Sequence, residues 1–252
     1  MKIDSKIIVD EATGIERIDY FDAHWYKIDE DFIFPSVTKV IGDVLSKGFG
    51  FEQWLKDVGN ESNYIVREAQ ESGSKLHNAI EMLIKGEIVA AQDQFTKKEW
   101  VKLNNWLAWW NGLEISAELL ESIVYNIEWG VAGTVDFIGT LNGEKVLIDW
   151  KTGNAIHDTG ELQVAAYATM YNTMNPDSPI TKAYLCHVGA LNRTKKDLSN
   201  KGVKMQEVDI ELLTKQFKNT LDIFKWRFPN AKAPTSEFPV HLKLERGIIV
   251  SD

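Results

Sequence analysis

The chain has 252 residues, a formal net charge of −9, a hydrophobic fraction of 44% and a charged fraction of 26%. That length supports a sizeable core in one large domain or two small ones, and the acidic balance argues against broad, non-specific nucleic-acid binding without excluding a local basic groove. A single cysteine, Cys186, excludes a disulfide framework and a four-cysteine zinc or iron–sulfur centre from this chain alone and fits a reducing cytoplasm, while no apolar run approaches the roughly 20 residues of a membrane helix and the charged N-terminus lacks a signal-peptide core.

Short strands with turns are predicted within residues 5–34, at 7–9, 26–28 and 31–34. Ser36 is a helix N-cap leading into an apolar segment over 40–45, which Gly48 and Gly50 end. A long helix is predicted over 61–86, where Ile65, Ala69, Leu76, Ile80, Leu83 and Ile84 recur at helical spacing. Gly73 is a weak point inside it. A second helix covers 96–110; Thr96 with Glu99 fits a capping box, and Trp100, Leu103, Leu107 and Trp110 line one face.

Three strand-like runs follow, at 119–127, 131–138 and 145–151, with the hairpin signal Asn142-Gly143 between the last two. A helix over 159–174 starts at Asp158 with Glu161 and stops near Pro176. A strand over 182–188, a basic loop over 193–201, a strand over 204–210 and an amphipathic helix over 211–228 come next, then a polar or irregular tail. No repeat or composition break marks a linker. The series predicts a single α/β domain spanning 1–252, a central mixed sheet flanked by helices, with its core over 60–210, an N-terminal strand and helix extension and a C-terminal helix.

The chemistry gathers around Ile148-Asp149-Trp150-Lys151-Thr152-Gly153. Asp149 and Lys151 are two apart, so on a strand they point to one face. Asp136 lies on the preceding strand, and the hairpin turn folds it beside Asp149. Two carboxylates and a lysine at a sheet edge can hold a hard divalent ion, Mg²⁺ or Mn²⁺, and activate water. Glu121 alternates with Leu119, Ile123, Tyr125 and Ile127. A carboxylate on such a face needs a partner or a metal, which makes it a further candidate ligand. Gln163 and Tyr167, four apart, share a helix face.

Blander readings stand beside these. An Asp-x-Lys pair also occurs as a surface ion pair, and a lone His77 as a satisfied core histidine. Trp100, Trp106 and Trp110 have core spacing rather than that of a base-stacking platform. Cys186 reads as a buried, inert thiol. The loop carrying Arg193, Lys195, Lys196 and Lys201 can follow a phosphate backbone or form a solvated hairpin tip.

Taken in order, Gly133-Thr134-Val135-Asp136, Asp149-Trp150-Lys151 and Gln163-Val-Ala-Ala-Tyr167 resemble the PD-(D/E)XK nuclease superfamily, and within it the RecB-type exonuclease branch. Gly73-Ser74-Lys75-Leu76-His77 resembles that branch's Gly-Thr-x-x-His element. Phe34-Pro35-Ser36-Val37-Thr38 resembles the start of phage and mitochondrial single-strand exonucleases. The resemblance implies a restriction-endonuclease-like core and a metal-dependent deoxyribonuclease acting as an exonuclease on linear DNA. It places the work in recombination, repair or phage DNA processing in a bacterial or phage-infected cytoplasm, with a repair or recombination protein as a partner.

The resemblance also implies roles. Asp136, Asp149, the Trp150 backbone carbonyl and His77 hold Mg²⁺ or Mn²⁺, with the histidine nitrogen favouring Mn²⁺. Lys151 orients the attacking water, and Gln163 and Tyr167 support the site and touch the DNA; the composition of the basic loop, not the resemblance, offers Arg193, Lys195 and Lys196 as further DNA contacts. Val135 stands where the superfamily's proline usually precedes the first aspartate. The cysteines of iron–sulfur relatives are absent, and no ATP-binding Gly-x-x-x-x-Gly-Lys motif occurs. Two alternatives remain at this stage: a catalytically silent nucleic-acid-binding module on the same fold, and a structure-specific endonuclease. Polarity, strand preference, DNA against RNA and oligomeric state stay open.

Overall fold

Four short strands near the N-terminus form a sheet of their own. In the computed structural model, which describes residues 6–10, 13–20, 23–30, 32–45, 48–91, 94–153, 157–189, 202–233, 242–245 and 248–251, β1 (Lys6–Val9), β2 (Glu16–Tyr20), β3 (Ala23–Lys27) and β4 (Ile33–Pro35) pair antiparallel in sequence order. Strand β2 has no counterpart among the predicted strands, because Glu16, Arg17 and Asp19 leave it too few apolar residues to register. Ser36 caps α1 (Val37–Val44) as expected, its Oγ accepting the Lys39 N–H at 3.0 Å. Next comes α2 (Phe49–Val58), where the sequence reading placed only a glycine break; Gly48 is its N-cap and Gly50 lies inside it.

Helices α3 (Ser62–Ile84) and α4 (Lys97–Trp110) match the predicted pair, and both halves of the Thr96–Glu99 capping box are present. The central sheet has five strands in the order β5 (Ile115–Asn126), β6 (Val131–Leu141), β7 (Glu144–Lys151), β8 (Lys182–Val188) and β9 (Val203–Val208). Only β7 and β8 run parallel. A parallel pair needs a long crossover, and α5 (Asp158–Met174) supplies it. The turn between β6 and β7 has both central residues at positive φ, Asn142 at 51° and Gly143 at 82°, as a tight primed hairpin requires.

Helices α1, α5 and α6 (Ile210–Arg227) cover one side, burying Val135, Ile138, Leu147, Leu185 and Phe217. On the other side α3 and α4 bury Leu76, Ile80 and Trp106 against Phe137, Ile148 and Trp150. Trp106 stacks on Trp110 with centroids 5.1 Å apart and meets the Trp150 edge at 5.8 Å. Alternation therefore sends the Trp150 ring into this layer and Asp149 and Lys151 to the opposite face. Strands β10 (Leu242–Glu245) and β11 (Ile248–Ser251) pair antiparallel within the stretch read from sequence as an irregular tail. No helix among the described residues is long and apolar enough to cross a membrane.

One irregularity positions the site. The β6–β7 ladder stops at Phe137 opposite Ile148. Beyond it, β6 continues against β5 as far as Val131, and β7 against β8 as far as Lys151. The two strands fork. The N-terminal region packs where β7 has left β6: Ser36 bridges Ala132, and Tyr26 shares a 3.0 Å hydroxyl–hydroxyl hydrogen bond with Thr134.

Candidate active site

The fork leaves backbone groups without ladder partners, and a side chain replaces one of them. The Trp150 N–H donates to Asp136 Oδ2 at 2.8 Å. The same oxygen lies 3.4 Å from Nδ1 of His77, carried by α3. Glu121 reaches the group from β5. It has φ of 46°, a left-handed conformation uncommon for a non-glycine residue and a frequent mark of a functional site. A register shift between Ala117 and Leu119 lies just before it. One ligand atom from each of His77, Glu121 and Asp136 lies within 4.8 Å of the others.

Asp149 is next along the fork and 3% exposed. Its Oδ2 pairs with Lys151 Nζ at 2.6 Å. Burial, with Asp136 adding to it against the pull of Lys151, raises the Asp149 carboxyl to about 6. Burial and the Asp136 charge raise Glu121 to about 7. Burial works against the charged form of His77, but Asp136 outweighs it and lifts the imidazole to about 9. Burial would raise Asp136 too, yet His77 and Lys151 hold it below the usual carboxylate range. Clustered hard oxygen donors and one imidazole, with ligand atoms of His77, Glu121 and Asp136 within 4.8 Å of one another, fit a divalent ion.

Lys151 is held from the other side. Its Nζ donates to Gln163 Oε1 at 2.9 Å. The Gln163 amide nitrogen donates to the Tyr167 hydroxyl at 2.8 Å and to Thr38 Oγ1 at 3.2 Å. Tyr167 packs against β6, where a Cβ at Gly133 would collide with its ring. The glycine of the Gly133-Thr-Val-Asp136 run thus makes room for the tyrosine of the helix motif. Burial pushes Lys151 down, but Asp149 and Asp136 overcome it and keep the ammonium charged. The strand end beyond Lys151 is fastened as well: Lys102 Nζ donates to the Thr152 carbonyl at 2.6 Å, and a His187 ring nitrogen lies 2.8 Å from the Gly153 carbonyl.

The sequence profile of the PD-(D/E)XK nuclease superfamily matches residues 56–237. The chain belongs to that superfamily. Its restriction-endonuclease-like α/β core and its place among metal-dependent nucleases follow from that membership. Among solved structures, the crystal structure of SSO0001 is similar to this nuclease at 14% identity, covering 77% of this chain and 81% of the other with a TM-score of 0.34. No curated protein matches the chain.

Seven residues singled out from the nuclease's sequence meet at the fork: His77, Glu121, Asp136, Asp149, Lys151, Gln163 and Tyr167. The closest trio is His77, Glu121 and Asp136, with Asp149 standing on the Lys151 side. The Trp150 side chain belongs to the core, while its backbone lies in the site. Arg193, Lys195 and Lys196 lie outside the described residues. Thr38, Tyr26 and Lys102 were given no role from sequence. Thr38 stood in a quoted motif, but its partner is 125 positions away.

Proposed function

We propose that this chain is a divalent-metal-dependent exonuclease that hydrolyses phosphodiester bonds of linear DNA, with Mg²⁺ or Mn²⁺ as its metal and DNA recombination, repair or phage DNA processing as its setting. The observation that carries the reading is the fork itself, with His77, Glu121 and Asp136 on one side of Asp149 and the Lys151–Gln163–Tyr167 chain on the other. His77, Glu121, Asp136 and Asp149 would hold the ion, with the Trp150 carbonyl as a further oxygen ligand. When bound, a divalent ion polarises the scissile phosphate and lowers the pKa of coordinated water. Lys151, kept charged by two carboxylates, orients the attacking water and stabilises charge developing on the phosphate. Gln163 and Tyr167 keep that ammonium in place and line the path of the strand, and the basic residues Arg193, Lys195 and Lys196 supply phosphate contacts. The ordered RecB-type motifs support exonuclease action over internal cleavage.

The test is end-labelled linear single- and double-stranded DNA, beside closed circular DNA, with Mn²⁺ or Mg²⁺ and with wild type beside Asp149→Ala. Loss of linear substrate with wild type alone supports the reading, and product lengths report direction and strand preference. Cutting of the circle makes the protein an endonuclease. Inertness of wild type with either metal moves it to a silent binding module.

A further inference from the structure

The superfamily match begins at residue 56, so β1–β4 and α1 lie before it. Yet this segment is fastened to the fork at several places. Ser36 bridges Ala132 of β6, and Tyr26 bonds Thr134, two residues before Asp136. The Asp10 carboxylate accepts the N–H of Ile123, two residues after Glu121. Ser36 also caps α1, which sets Thr38 in the first turn facing α5.

The consequence lies in the chemistry of a primary amide. The carbonyl oxygen of Gln163 accepts from Lys151, so its NH₂ must point away. The reverse orientation would set two N–H donors against an ammonium that has only donors to offer. Lys151 sets the flip, since the Tyr167 and Thr38 hydroxyls can each donate or accept, but those two oxygens hold the amide plane in place by anchoring its NH₂. Thr38 adds a second oxygen on the NH₂ side, at 3.2 Å. We infer that Thr38 is a positioning residue for Lys151, acting through the Gln163 amide, and that the N-terminal sheet and α1 are therefore part of the catalytic apparatus. This inference rests on the nuclease reading above for its effect on rate.

Thr38 is exposed, so Thr38→Val removes the hydroxyl at nearly constant shape without threatening the core. On end-labelled DNA with saturating Mn²⁺, Thr38→Val is expected to lower kcat about tenfold, leaving KM and Mn²⁺ affinity within about twofold, while Thr38→Ser restores most of the rate. In a Gln163→Leu background, Thr38→Val should cost nothing more, because the amide it acts through is gone. An independent reading is the Gln163 side-chain NH₂ resonance in the metal-free protein, which should shift in Thr38→Val and return in Thr38→Ser.

A raised KM with unchanged kcat would make Thr38 a DNA contact and overturn the inference. An equal loss in both backgrounds would make it merely structural and overturn the inference as well. Wild type inert on every DNA and metal would overturn the nuclease reading, and the catalytic role with it. The amide resonance separates that failure from a failure of the Thr38–Gln163 link, because it needs no turnover.

Discussion

The β6–β7 hairpin has two ends built on opposite principles. At the turn end, Asn142 and Gly143 close the chain and each residue from Phe137 to Leu141 faces a partner across the ladder. Phe137, Ile148 and Val146 are almost wholly buried there among apolar neighbours. At the fork, the same two strands separate and bring buried carboxylates together. One end contributes stability and the other gives some of it up. The closed ladder is what holds Asp136 and Asp149 close despite their repulsion, and the parting of the strands is what leaves them room to hold an ion.

Substitutions can break that division. The largest expected effect is on chemistry at the fork. Lys151→Ala should lower cleavage by about 10²–10³-fold while Mn²⁺ binding by calorimetry persists; undiminished cleavage would remove the lysine from the proposed chemistry. At the closed end, Val146→Ala, opposite Gly139 on the turn side of the ladder, should cost about 2 kcal/mol in urea unfolding yet leave the rate per folded molecule near wild type. If that rate collapses too, the two ends are not separable. Between the two lies Gly133→Ala. Its Cβ would push Tyr167 off β6, costing about 1–3 kcal/mol, and should slow cleavage as well because Tyr167 no longer steadies Gln163.

A pH titration sharpens the comparison without mutation. His77, raised to about 9 in the folded chain, contributes stability that is complete below its ordinary pKa and lost as pH climbs through 9. Glu121, raised to about 7, favours the protonated folded state, so its ionisation also weakens the fold as pH rises toward 7. Asp136, held low, is ionised throughout this window. Scanning calorimetry in chelator should therefore find the Tm falling from pH 6 to 9, and Mn²⁺ should restore it most at the alkaline end, where its ligands have lost their protons. A flat profile would mean that the fork stores no such repulsion. The smallest effect belongs to the turn: Gly143→Ala at φ 82° should cost about 1 kcal/mol with cleavage unchanged.

Local pattern made much of this legible in the sequence. Strand β8 and helix α4 match their predicted spans almost to the residue, because alternation, helical spacing and the Thr96–Glu99 box are encoded by near neighbours. The roles considered for Asp136, Asp149, Lys151, Gln163 and Tyr167 came from ordered motifs, and the structure brings these side chains together. What escaped was non-local or conformational. Strand β2 is polar, and its pairing with β1 and β3 has to be known before it reads as a strand. The left-handed backbone at Glu121 leaves no trace in composition. The hydrogen bonds of Thr38 and Tyr26 span 125 and 108 positions, distances at which sequence pattern is silent.

The alternation that buries Trp150 between Asp149 and Lys151 also gives the molecule an internal gauge. Its indole meets Trp106 edge-on, and Trp106 stacks on Trp110, so three chromophores sit close enough for their transitions to couple. The Trp150 backbone N–H binds Asp136, so a shift of the β7 end on ion capture would move a ring within that trio. Near-ultraviolet circular dichroism can then follow occupancy of the site in solution, with no label and no substrate.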